Sequence, residues 1–192
     1  MTAGIHRVGL FGGAFDPPHH AHVALAQAAI EQLGLERLHV VPTGDAWHKA
    51  RALSPAADRL AMCRLAFAGL PRVAVDEREL RRAGASYTID TLTELHAEHP
   101  AAQWFLVIGA DQAAAFHSWR RADDILRLAT IVIAVRADPS GVGAVFDAEH
   151  PLPGLAVAAD RVRRLRLPAM PHSATAVRGL AAAGQPIEHL VP

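Results

Sequence analysis

Short runs of consecutive apolar residues alternate along this chain with longer stretches in which alanine and leucine recur at helical spacing. Arg7–Phe11 is an apolar run broken by Gly12-Gly13 and Asp16-Pro17-Pro18, the pattern of a buried strand that ends in a loop. From about His20 to Leu33 the apolar positions are helical, and Gly34 supplies a C-terminal stop. Leu38–Val41 reads as a second buried strand ended by Pro42. Ser54-Pro55 predicts a helix start, with a hydroxyl N-cap and proline at the first helical position, running to about Ala68. Arg72–Asp76, Trp104–Ile108 and Thr130–Val135 read as further strands. Thr88–Glu98, Ala122–Leu128 and Ser173–Ala183 read as helices, and the Pro- and Gly-containing stretch Asp138–Gly154 as a surface excursion. Arg161–Arg166 holds four arginines and reads as a strand with alternate side chains in solvent.

Apolar strands separated by helices imply βαβ units on a parallel sheet. The expected fold is α/β: a Rossmann-like doubly wound parallel sheet with helices on both faces, in one domain spanning residues 1–192. A chain of 192 residues suits one domain and buries roughly 70% of its unfolded surface without a disulfide or metal staple. Lys and Arg number 19 against 19 Asp and Glu, so the basic face expected of a nucleic-acid binder is not indicated. The longest apolar stretch, around Leu128–Val135, falls far short of the ~20 residues of a membrane span. No charged segment followed by an apolar core lies near Met1, and the single cysteine, Cys63, suits a reducing cytosol. A cytoplasmic protein is expected. Cys63 reads as an inert buried thiol, Trp104 as core, and His96 and His99 as solvent-facing helix residues. His6, His39, His117, His150 and His189 form no constellation. No apolar stripe stands out beyond what the core requires, which leaves a homo-oligomer open.

Three polar clusters fall at the carboxyl ends of predicted strands, where open α/β sheets form their ligand crevice. The first is Gly12-Gly13-Ala14-Phe15-Asp16-Pro17-Pro18-His19-His20-Ala21-His22. Glycines after a strand let backbone N–H groups approach an anion, and the following helix N-terminus adds partial positive charge. His19 and His22, three apart, share one helix face and suit a polyphosphate. Two other readings stay open: zinc ligation by His19, His20 and His22, with only Asp16 nearby to help complete the shell, or simple helix capping. The turn has neither the Gly-x-Gly-x-x-Gly spacing of dinucleotide-binding dehydrogenases nor the Gly-Lys-Ser/Thr of a P-loop. The second cluster, Ser173-Ala174-Thr175-Ala176-Val177-Arg178, sets hydroxyls at a helix start beside a forked, permanent cation. Alone it is an ordinary helix cap; paired with the first cluster it gains force as a phosphate site. The third, Gly109-Ala110-Asp111, offers a carboxylate that accepts from ribose hydroxyls or caps the next helix.

The first cluster resembles the Gly-x-Phe-Asp-Pro-x-His-x-Gly-His signature of the nucleotidyltransferase superfamily, with Ala21 at the last glycine and Ala14 at the usual Thr or Ser. The second resembles that family's Ile-Ser-Ser-Thr-x-Ile-Arg, with His172 at the leading isoleucine and Ala174 at the middle serine. Ser86-Tyr87-Thr88-Ile89-Asp90-Thr91-Leu92 is similar to one branch, the bacterial nicotinate-nucleotide adenylyltransferases. So are Ile108-Gly109-Ala110-Asp111 followed by Trp119, and His48-Lys49, where Trp47 takes a proline's place. The similarity runs from Val8 to about Pro192.

This resemblance implies transfer of AMP from ATP to nicotinate mononucleotide, giving deamido-NAD and pyrophosphate in NAD biosynthesis. It implies catalytic roles for His19, His22 and Arg178. It implies ATP binding by Gly12, Gly13, Phe15, His19, His22, Gly109, Asp111, Ser173, Thr175 and Arg178. Ala14, Asp16, Lys49, Tyr87, Thr88 and Trp119 are implied to bind the mononucleotide, and Mg²⁺ to bridge ATP oxygens with few protein ligands. The Ser86–Thr88 turn offers hydroxyls and N–H groups to a carboxylate, and Trp119 a stacking face that could equally be packing, so the acid is expected over the amide. Two rivals remain: an adenylyltransferase for another phosphate, and a nucleotide-binding module without turnover, motivated by Ala14, Ala21 and Ala174.

Overall fold

The structure, a computed structural model, describes residues 6–44, 52–136, 150–168, 170 and 173–192. In chain order the elements are β1 (Arg7–Gly13), α1 (His20–Leu33), β2 (Arg37–Pro42), α2 (Ala56–Ala66), β3 (Val73–Val75), α3 (Arg78–Arg81) and α4 (Thr88–Glu98). Then follow β4 (Gln103–Gly109), α5 (Ala110–Ala114), α6 (Ala122–Leu128), β5 (Ala129–Arg136), β6 (Val162–Leu167) and α7 (Ala174–Ala182). All five strand pairings are parallel, in the order β3-β2-β1-β4-β5-β6.

Strand residues alternate between two cores because successive side chains point to opposite faces. Phe11, Leu38, Val40, Phe105, Val107, Val132 and Leu165 pack with α1 and α2 on one face. Val8, Leu10, Trp104, Leu106, Ile108, Ile131 and Ile133 pack with α4, α5 and α6 on the other. This is the doubly wound sheet that the apolar runs predict. The chain leaves β1 in one direction and returns at β4 beside it, so the switch point lies between these two strands. A ligand crevice is expected outside their carboxyl ends.

Several local expectations need correction. Pro55, not Ser54, occupies the N-cap of α2: its carbonyl accepts from Arg59 N–H, while Ser54 N–H donates to the Asp16 carboxylate at 3.2 Å. That helix ends at Ala66 rather than Ala68. Arg161 lies outside the edge strand; its guanidinium donates to the Leu126 and Arg127 carbonyls at the end of α6. His99 is the C-cap of α4 rather than a residue within it. Most of the Asp138–Gly154 excursion falls outside the described residues. Gly34 does end α1, at φ 64° in the left-handed region that glycine adopts freely. Among the described residues no helix is long and apolar enough to cross a membrane.

Candidate active site

The turn after β1 is built around a strained aromatic residue. Phe15 sits at φ 46°, a left-handed conformation that a side chain adopts only under tertiary constraint. Its ring is buried and meets Phe11, Phe67 and His22 edge-on, with centroids 5.3, 6.0 and 5.1 Å away. The core therefore fixes the loop that carries Gly13, Ala14 and Asp16.

His19 occupies the N-cap of α1 and is 3% exposed. Its backbone N–H donates to His22 Nδ1 at 3.1 Å, and the two rings stack with centroids 3.8 Å apart. Because Nδ1 of His22 accepts this bond, the proton of the neutral imidazole resides on Nε2. That N–H is a donor suited to a phosphate oxygen, set over a helix N-terminus that already favours anions. The capping bond is thus present, in an arrangement compatible with an anion at the helix start. Among the described residues no group of three or more His, Cys, Asp or Glu is placed to hold a metal ion.

The structure joins the first and second clusters directly. Arg178 donates from Nη1 to the Asp16 carbonyl at 2.7 Å and from Nη2 to Thr175 Oγ1 at 3.2 Å. Ser173 Oγ caps α7 by accepting from Ala176 N–H at 3.1 Å. The chain's last residues come to the same place: His20 N–H donates to the Leu190 carbonyl at 3.0 Å.

Asp111 stands at the carboxyl end of β4, beside β1, exposed in the first turn of α5. Gly109 holds that helix's N-cap position, so Asp111 is not the cap. Among the described residues its carboxylate has no hydrogen bond, which leaves it available to a ligand. On the second face, Thr88 opens α4 and Tyr87 is its N-cap, covered by the Arg120 guanidinium 4.6 Å from the ring centroid. Trp119 is half-buried and packs against Phe116, ring centroids 5.0 Å apart. Among the described residues the buried Ser86 Oγ has no hydrogen-bond partner, an uncompensated state. Lys49, with Trp47 and His48, lies outside the described residues, as does His172.

Two buried charged residues at this site escape the sequence reading. Glu79 accepts from Thr91 Oγ1 at 2.7 Å, and burial raises its carboxyl above the ordinary range against hydrogen bonds from Thr91 and the Gly44 N–H. A β-carbon at Gly44 would lie 2.1 Å from the Glu79 carbonyl and 2.8 Å from Ser86 Oγ, so only glycine fits there. The other is Arg59, 2% exposed, whose guanidinium donates to the carbonyls of Ala14 at 2.9 Å, Thr43 at 2.8 Å and Ser54 at 3.0 Å. Arg59, Cys63 and Ala66 form the buried face of α2. An arginine on that i, i+4, i+7 stripe was the available signal. Burial pushes the Cys63 thiol up to about 12, consistent with an inert side chain. His39, with no partner suggested by spacing, is buried and 3.2 Å from Asp76.

Known proteins share this plan. Residues 10–179 match the cytidylyltransferase-like family. A relative from Albidiferax ferrireducens named "Probable nicotinate-nucleotide adenylyltransferase" is 53% identical over 185 residues, 96% of this chain and 90% of its own length. One of the same name from Chromobacterium violaceum is 40% identical over 195 residues, covering 96% and 92%. The fold is also that of Plasmodium falciparum nicotinic acid mononucleotide adenylyltransferase complexed with NaAD, at TM-score 0.73 and 16% identity, over 96% of this chain and 88% of that one. By these matches over nearly its whole length, the chain belongs to the cytidylyltransferase-like family, in its nicotinate-nucleotide adenylyltransferase branch.

Proposed function

We propose that this chain, as a single domain in the cytoplasm, transfers AMP from ATP to nicotinate mononucleotide, releasing pyrophosphate and forming deamido-NAD. The observation that carries the reading is the bond from Arg178 to the Asp16 carbonyl. It locks the helix start bearing Ser173 and Thr175 onto the turn bearing the stacked His19 and His22, so one triphosphate can meet both.

The chemistry asks for no nucleophilic side chain. The attacking mononucleotide phosphate is already anionic at neutral pH, so positioning and charge stabilisation carry the rate. His22 donates from Nε2, with His19 beside it, toward the α-phosphate where charge develops. Arg178 and Thr175 hold the outer phosphates that leave as pyrophosphate, aided by backbone N–H groups at the start of α7. Asp111 accepts from the ribose hydroxyls of ATP, with Gly109 beneath. The imidazoles, hydroxyls and guanidinium here fit phosphate oxygens rather than a hard cation, so Mg²⁺ would be held mainly by ATP oxygens and would supply charge neutralisation of the phosphates. Gly12, Gly13 and Phe15 shape the turn against the nucleotide.

Ala14, Asp16, Lys49, Tyr87, Thr88 and Trp119 receive the mononucleotide. The buried Ser86 hydroxyl and the N–H groups opening α4 suit the nicotinate carboxylate, and Trp119 stacks on the pyridine ring. The acid is therefore preferred over the amide. Pyrophosphate release with ATP and Mg²⁺ tests this, with nicotinate mononucleotide, its amide and phosphopantetheine run in parallel. Strong preference for the acid is expected. Equal turnover of the amide would remove the ring-pocket assignment. Silence with all three alongside tight ATP binding would make the chain a nucleotide-binding module.

A further inference from the structure

We infer that Arg59 is a positioning residue for this reaction: one buried guanidinium sets the relative placement of the three segments that frame the site. The inference rests on the adenylyl transfer proposed above. Arg59 Nη1 donates to Ala14 O in the turn after β1 and to Thr43 O just beyond β2, while Nε donates to Ser54 O before α2.

These bonds close a ring with others already in place. Thr43 N–H donates to Gly13 O at 2.8 Å, tying the ends of β1 and β2 a second time. Ser54 N–H donates to Asp16 Oδ2, so Ser54 is held on both of its backbone groups. The Asp16 carbonyl in turn receives Arg178. A shift at Arg59 is therefore passed to the turn carrying His19 and, through Asp16, to the cation on α7.

The chemistry of the side chain fits this task better than a packing role. A buried cation is costly, and an apolar residue of similar volume commonly stabilises as well or better where only packing is needed. Burial does lower the Arg59 pKa, opposed by the charge of Asp16. Arginine's planar fork reaches three carbonyls in fixed directions, whereas lysine presents a single point charge. Arg59→Lys keeps the charge and the helix but not the three-way geometry.

The test uses the full chain as wild type, Arg59→Lys and Arg59→Ala, with kcat and KM measured for both substrates. Both variants are expected to lose about 100-fold in kcat, the scale of an ångström-sized misplacement, with each KM within about threefold. Millimolar guanidinium ion should restore part of kcat to Arg59→Ala alone, at unchanged thermal midpoint. Amide exchange adds a readout independent of turnover: Thr43 N–H should exchange faster in both variants, while amides in β4 stay protected. Arg59→Lys kcat within about twofold of wild type would overturn the inference. So would activity that merely tracks the folded fraction without guanidinium rescue. If wild type releases no pyrophosphate, the proposed reaction fails instead. Exchange at Thr43 then decides the matter for Arg59, with unchanged protection counting against it.

Discussion

Two helices begin at the same crevice, and they present their polar groups in opposite states. The start of α1 is buried: His19 is 3% exposed, its N–H is committed to His22, and the rings stack against each other and the Phe15 box. The start of α7 is open. Ser173 and Thr175 are exposed, and Arg178 reaches inward, half-buried, to the Asp16 carbonyl. Fixed donors whose orientation is set before substrate arrives are the kind that stabilise developing charge. Exposed hydroxyls and a long cation lose more freedom on binding and suit phosphates that are held rather than transformed. On the proposed function, the comparison gives rate to α1 and affinity to α7.

The largest effect that would break this division is on His22. His22→Ala should lower kcat by about 1,000-fold, as loss of a preorganised donor does elsewhere, while circular dichroism shows an unchanged fold. A loss confined to KM would move the histidine turn to the affinity side. Arg178→Gln should act the other way, raising KM for ATP by roughly 10- to 100-fold through a lost charge-assisted bond, with a smaller change in kcat. Steady-state kinetics with ATP varied would show it. Ser173→Ala should cost about 1 kcal/mol of stability by urea denaturation, because its oxygen accepts from Ala176 N–H, and raise KM for ATP by roughly 2- to 10-fold through loss of the remaining O–H donor.

Away from both helices, Asp76→Asn should leave turnover unchanged and lower stability at neutral pH, read by urea denaturation across pH. Burial opposes ionisation of Asp76, but hydrogen bonds from His39 and Arg78 hold its carboxyl well below the usual range. A depressed carboxyl stabilises the fold above its unfolded value, near 3.9, and that stability fades as pH falls through the folded value. Wild type should therefore outlast the variant at neutral pH, with the gap closing as the acid limit is approached.

Much of this was legible in the residues, and the reasons differ by element. β1, β2, β4 and β5 are buried on both faces, so their apolar runs announced them. The two signatures sat at strand and helix ends, where the crevice of such a sheet must lie. α3 and α5 span only four and five residues, too short for a helical period to register. The partners of Arg161 and Arg59 escape one-dimensional reading for a common reason: each guanidinium reaches backbone carbonyls that are distant in sequence, although the buried stripe of α2 marks Arg59 itself. Ser54-Pro55 marked the start of α2 one residue early, and the contact of Ser54 N–H with Asp16, 38 positions away, is beyond any spacing rule. Glu79 and Gly44 meet across a gap that no spacing rule encodes.

The most direct test of the division between the two helix starts is the calorimetric dissociation constant of ATP, without acceptor, for wild type, His22→Ala and Arg178→Gln. Binding should be nearly unchanged in His22→Ala, despite its lost turnover, and clearly weakened in Arg178→Gln. Equal weakening in both, or weakening in His22→Ala alone, would contradict the assignment of rate to α1 and affinity to α7.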